Sequence, residues 1–79
     1  MKRRRLDRTD LGQLLRRFRR SRGVSQEKLA EQAGLHRTYI SHVELGTRNP
    51  SFEVVDMLLV ALGVSWEEFG RELDRTAFP

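Results

Sequence analysis

Glycines at positions 23, 34, 46 and 63 cut this chain into short segments, each carrying apolar residues at helical spacing. No stretch alternates convincingly enough for a strand, and no segment repeats. In the first segment Leu11, Leu14, Leu15 and Phe18 share one face, with Arg16, Arg17, Arg19 and Arg20 between them; Thr9 or Asp10 is placed to cap its start. Ser25 caps a second helix running from Gln26 to Ala33, and a third covers about Arg37 to Leu45. After the polar loop Thr47-Arg48-Asn49-Pro50, Ser51 caps a fourth helix whose stripe is Phe52, Val55, Leu58, Leu59 and Leu62. Ser65 and Glu68 form a capping-box pattern that opens a fifth helix, expected to reach about Asp74. The spacing therefore predicts an all-α, compact five-helix bundle. Residues 1–8 are expected to be a basic arm and 9–74 the folded domain, with a frayed tail over 75–79.

Several chemistries are unsupported by composition. The chain has no cysteine, so a disulfide framework and a thiolate metal site are both excluded. Its two histidines, His36 and His42, are six positions apart on a short helix and do not share a face at one-turn spacing. No glycine-rich phosphate loop occurs, and nothing in the spacing sets a nucleophile beside a base. Metal, cofactor, small-molecule ligand and catalysis are accordingly not expected. No apolar run approaches the roughly 20 residues of a membrane span. The basic start lacks the apolar stretch of a secretory signal, so a cytoplasmic protein is expected.

Charge is distributed unevenly. Residues 1–22 hold ten basic and two acidic side chains, residues 23–50 three of each, and residues 51–79 two basic against six acidic. One end suits a polyanion and the other is repelled by it, which favours docking on nucleic acid in one orientation.

The stretch from Gln26 to Leu45 carries the most information. Leu29 and Ala30 face inward, Gly34 makes the turn, Leu35 plugs it, and Ile40 with Val43 anchors the next helix. Small Ala30 lets the two helices approach steeply, and glycine supplies the positive φ of a tight turn. Fixing the tilt this way leaves Arg37, Thr38, Ser41 and His42 on a free polar face, the kind that major-groove readout requires.

Ser25-Gln26-Glu27-Lys28-Leu29-Ala30, Ala33-Gly34-Leu35, Arg37-Thr38-Tyr39-Ile40-Ser41, Glu44-Leu45-Gly46 and Asn49-Pro50-Ser51 together resemble the Xre/Cro-type helix-turn-helix regulators. The likeness covers about residues 9 to 70 and is particularly similar to the controller proteins of restriction–modification systems. It implies a lambda-repressor-like DNA-binding domain. By this resemblance Arg37, Thr38, Ser41 and His42 would face bases, with arginine able to grip guanine through two hydrogen bonds. Gln26, Tyr39, Thr47, Arg48 and Asn49 match sugar-phosphate contacts that set register. Arg19 and Glu44 match a structural pair tying the first helix to the end of the third. His36 departs from the pattern, standing where many relatives place aspartate or serine as a cap.

The basic residues Lys2, Arg3, Arg4 and Arg5 exceed the family pattern; they would either contact DNA or remain a solvated tail. Trp66, Phe69, Leu73 and Phe78 are more apolar than a thin fifth helix needs, and the resemblance implies that they form a dimer interface. Two such protomers would read an inverted repeat with recognition helices about 34 Å apart. The expected function is sequence-specific transcription regulation by a homodimer on double-stranded DNA. It would act on RNA polymerase by position, with no residues left for an effector domain. The rival is an antitoxin-like protein-interaction module with secondary DNA binding.

Overall fold

In the computed structural model, which describes residues 2–78, Asp7 starts the first helix rather than Thr9 or Asp10. Its carboxylate accepts from the amides of Thr9 and Asp10, while the Asp10 carboxylate accepts from the Asp7 amide. This reciprocal pair satisfies donors that a helix start otherwise leaves orphaned. The capping groups nearest the apolar stripe, Thr9 and Asp10, therefore lie inside the helix, and the cap stands two to three residues further out than the pattern suggests. Helix α1 spans Arg8–Ser21, α2 Gln26–Ala33, α3 Arg37–Leu45, α4 Phe52–Leu62 and α5 Trp66–Ala77. The described residues form no strand.

Serine side chains begin three of these helices: Ser25 accepts from the Lys28 amide, Ser51 from Val54 and Ser65 from Glu68. The box expected at Ser65 is only half made, since the Glu68 carboxylate turns to Arg22 at 3.5 Å. Gly34 adopts φ 70° at the turn between α2 and α3, and the next amide, Leu35, returns a hydrogen bond to the Ala30 carbonyl. That closure fixes where the chain leaves α2.

One core joins all five helices: Leu14, Leu15 and Phe18 of α1, Leu29, Ala30 and Ala33 of α2, Ile40 and Val43 of α3, Val55, Leu58, Leu59 and Leu62 of α4, and Phe69 of α5. Burying each large member is worth about 1.5–3 kcal/mol. Phe69 is only 1% exposed and meets Phe18 at a 6.1 Å ring separation, so it belongs to the monomer core rather than to a dimer surface. Leu73 likewise packs against the core while partly buried. Of the four residues expected at an interface, Trp66 and Phe78 remain substantially exposed.

Near both chain ends the described residues make contacts that local sequence signals do not show. Helix α5 continues past the expected Asp74 to Ala77, whose side chain is fully buried. The Arg4 amide donates to the Ala77 carbonyl at 2.9 Å, and the Arg4 guanidinium holds Asp10 at 2.6 Å. This bonding holds the Asp10 carboxyl down to about 2, the Arg4 contact being the larger cause and the Asp7 amide the next. Arg4 is thereby engaged within the chain and is not a free cation of a loose arm. Lys2, Arg3 and Arg5 are exposed; Pro79, the last residue of the expected tail, lies outside the described residues.

Helix α1 approaches α3 closely at Gly12, where an added Cβ would overlap the Val43 carbonyl oxygen and lie 2.9 Å from that of Glu44. Backbone cannot yield as a flexible side chain does. Gly12→Ala is expected to destabilise the protein by about 1–3 kcal/mol, read as a lowered urea midpoint at unchanged slope. An unshifted midpoint would show that the two helices are free to separate.

Candidate nucleic-acid interface

A buried ion pair sets the tilt of α3. Arg19 donates from Nε to Glu44 Oε2 at 2.6 Å and from Nη2 to Oε1 at 2.9 Å, while Nη1 donates to the Val24 carbonyl at 2.8 Å. Gln26 Nε2 donates to Glu44 Oε1 at 3.0 Å. The end of α1, the connection to α2, the first residue of α2 and the last turn of α3 thus meet at one ion pair. Both charged side chains are nearly inaccessible, and no buried side-chain polar atom among the described residues lacks a partner. The Glu44 hydrogen bonds raise the Arg19 pKa above its ordinary value.

With Ile40 and Val43 sunk into the core, α3 turns its other side outward. Arg37, Thr38 and His42 are exposed and Ser41 is half-exposed, so the four expected base-facing residues share one accessible face. Two of them already have neighbours. Arg37 Nε lies 3.9 Å from Glu27 Oε1 of α2, and His42 Nδ1 lies 3.0 Å from the Thr47 hydroxyl, which also donates to the His42 carbonyl. The helix starts at His36, which makes no side-chain cap hydrogen bond. The first turn of α3 therefore carries free amides at its exposed end, beside Arg37 and Thr38.

The residues expected at sugar and phosphate rim this face. The Arg48 guanidinium sits over the Tyr39 ring at 5.1 Å, joining the start of α3 to the loop after it. Thr47 and Asn49 are exposed in the same loop, and Pro50 is buried behind them. Gln26 is half-buried, its amide nitrogen given to Glu44. Its side chain is therefore held in place at the start of α2. Lys2, Arg3 and Arg5 make no ion pair among the described residues; Arg4 is bound to Asp10.

Sequence reasoning missed the partners that hold this face. Glu27 as a neighbour of Arg37, Thr47 as a neighbour of His42 and the Arg48–Tyr39 stack all join residues on different elements. Only the packing of α2 and the following loop against α3 brings them together. No group of histidine and carboxylate side chains suited to a metal occurs among the described residues, and none of their helices is long and apolar enough to cross a membrane.

Residues 10–73 match a helix-turn-helix domain family. The control protein C.BamHI of Bacillus amyloliquefaciens is 52% identical over 54 residues, covering 67% of this chain and 67% of its own. The crystal structure of the restriction–modification controller protein C.AhdI from Aeromonas hydrophila superposes with a TM-score of 0.77 at 41% identity, over 80% of this chain and 91% of that one. The controller protein C.Esp1396I, solved as a tetramer on its natural 35-base-pair operator, superposes with a TM-score of 0.86 at 28% identity, over 91% and 95%.

The ion pair can be tested directly. Glu44→Ala leaves the Arg19 guanidinium buried without its carboxylate, and should cost about 3–5 kcal/mol in chemical denaturation. Replacing both partners by apolar residues, Arg19→Met with Glu44→Leu, should recover most of that loss. Equal losses in the single and double variants would mean that the carboxylate does not act through Arg19.

Proposed function

Since the chain belongs to the helix-turn-helix domain family, we propose that it is a sequence-specific transcription regulator that binds an inverted-repeat operator as a homodimer. The observation that carries this reading is the outward face of α3. Arg37, Thr38, Ser41 and His42 stand together on it, and the Arg19–Glu44 pair fixes its angle. Arg37 reads guanine O6 and N7, while Thr38, Ser41 and His42 complete the base contacts. Gln26, Tyr39, Thr47, Arg48 and Asn49 grip the flanking backbone and set the register. The regulator acts on RNA polymerase through the position of the operator.

Dimerisation runs through the apolar surface of α4 and the start of α5. Phe52 is 68% exposed and Val60 74%, two turns apart on α4, with Met57 between them. Trp66 stacks on Phe52 with ring centres 5.0 Å apart and planes 11° from parallel, and its indole N–H donates to Asp56 at 2.7 Å. Hydrophobic groups this exposed on so small a domain favour a partner surface. A second protomer supplies both the cover and the other half of the reading surface.

Selection from a random duplex library tests the reading. Wild type should enrich an inverted repeat, and Arg37→Ala should lose discrimination at one position per half-site, by about 1–3 kcal/mol. Enrichment of no sequence would sink it. For the interface, Val60→Asp should sediment as a monomer with an unchanged circular dichroism spectrum and bind the selected repeat more weakly. A dimer that survives this change would place the seam elsewhere.

A further inference from the structure

Helix α1 carries a second cationic surface that the reading face does not include. Its core side is Leu11, Leu14, Leu15 and Phe18, and its Gly12 and Arg19 edge lies on α3. The remaining side presents Gln13, Arg16, Arg17 and Arg20, all lining a shallow groove, with Arg16 and Arg17 each one turn from Gln13 on one side and from Arg20 on the other. Five arginines elsewhere in the fold are ion-paired, Arg4 to Asp10, Arg19 to Glu44, Arg22 to Glu68, Arg71 to Glu67 and Arg75 to Glu72, whereas Arg3, Arg5 and Arg8 towards the start of the chain are exposed without such a pair among the described residues. Arg16 and Arg20 are exposed and have no acidic partner among the described residues. Arg17 also borders a depression that contains Glu68 and Glu72, so its charge is partly offset.

Arg16 and Arg20 are one helical turn apart, where like charges repel. Nothing in the fold relieves that repulsion, and a polyanion laid along the helix would. The position suits such a ligand. Helices α1 and α3 touch along Gly12 and Arg19, and Arg16 lies one turn from Gly12, so the row of Arg16 and Arg20 borders the edge of α1 that meets α3.

We propose that Arg16 and Arg20, with Gln13 beside them, bind the sugar-phosphate backbone of the DNA flanking the half-site. They add affinity and salt dependence without sequence preference. The inference rests on the DNA-binding reading above and extends it to a surface outside the helix-turn-helix unit.

The experiment compares Arg16→Gln/Arg20→Gln with Arg71→Gln/Arg75→Gln, which removes the same formal charge from ion-paired arginines. Binding to the selected operator and to bulk duplex DNA is measured across about 50–200 mM salt. With four phosphates no longer neutralised across the homodimer, two per half-site, the slope of log K against log salt on the operator should become shallower by about 3.6 for the α1 variant. The α5 control should keep the wild-type slope, and the preferred sequence should not change. Arg16→Lys/Arg20→Lys should retain the wild-type slope because it keeps both charges. If the α1 variant matches the α5 control, the α1 surface does not touch DNA and the proposal is overturned. Failure to select any operator would overturn the specific-regulator reading instead, while the slopes on bulk DNA still decide the role of α1.

Discussion

The contact between Arg19 and Glu44 decides the geometry of everything that faces outward. It lies where α1, the connection to α2 and the last turn of α3 converge. Two buried charges are expensive, because each must give up its hydration before their attraction is counted. Here the cost is offset by full satisfaction: two guanidinium nitrogens on the carboxylate, the third on the Val24 carbonyl, and Gln26 on the same carboxylate. A purely apolar contact of the same size would be at least as stable but would tolerate small rotations. The bidentate pair does not, since its two hydrogen bonds fix the planes of both groups. Gly12 makes the same demand in steric form by admitting the α3 carbonyls against the α1 backbone. Together they turn an aliphatic core, which defines a volume, into a frame that defines an angle.

On that frame the reading side chains are held loosely, and the energetics suit exchange. The Arg37–Glu27 pair is exposed and its 3.9 Å separation is long, so it contributes well under about 1 kcal/mol. A bidentate contact to a base is worth more, about 1–3 kcal/mol of discrimination. Arg37 can therefore leave Glu27 for DNA at little loss. His42 is different, because its ring nitrogen and the Thr47 hydroxyl form a closed local set with the His42 carbonyl. In the proposed reading a base contact by His42 would use the other ring nitrogen, with Thr47 orienting the imidazole. In the same way the Tyr39 ring lies against the Arg48 guanidinium, and in the proposed reading the guanidinium edges would meet phosphate.

The helices were legible in the sequence because their signals are local. Ser25, Ser51 and Ser65 mark three starts, and Gly34, Gly46 and Gly63 mark three ends, all visible within one turn of the apolar stripe they bound. The α1 start is harder to place because Asp7 caps from outside the periodic pattern, in a segment whose dense positive charge suggests a loose arm. That arm is docked at Arg4 through contacts with Asp10 and with Ala77, and the second of these spans nearly the whole chain. The same distance explains Phe69. An aromatic residue on a strongly amphipathic terminal helix reads equally well as core or interface, and only its meeting with Phe18 decides between them. Phe52 and Val60 were hidden for the converse reason: they sit in an apolar helix, Phe52 within its stripe, yet face outward.

Those two residues connect packing to control. In a domain of this size the core is complete without them, so the apolar surface of α4 and Trp66 gains its burial only from a second molecule. A protomer reading one half-site has few base contacts. A dimer reading two gains the second set with the orientation already fixed. Where protomers are scarce, dimer concentration rises as the square of protomer concentration, and operator occupancy in the proposed scheme rises with it. The affinity of the α4 seam would then set the concentration at which the regulator acts. The hydrophobic surface that the monomer leaves exposed would in this way supply a threshold, with no ligand required.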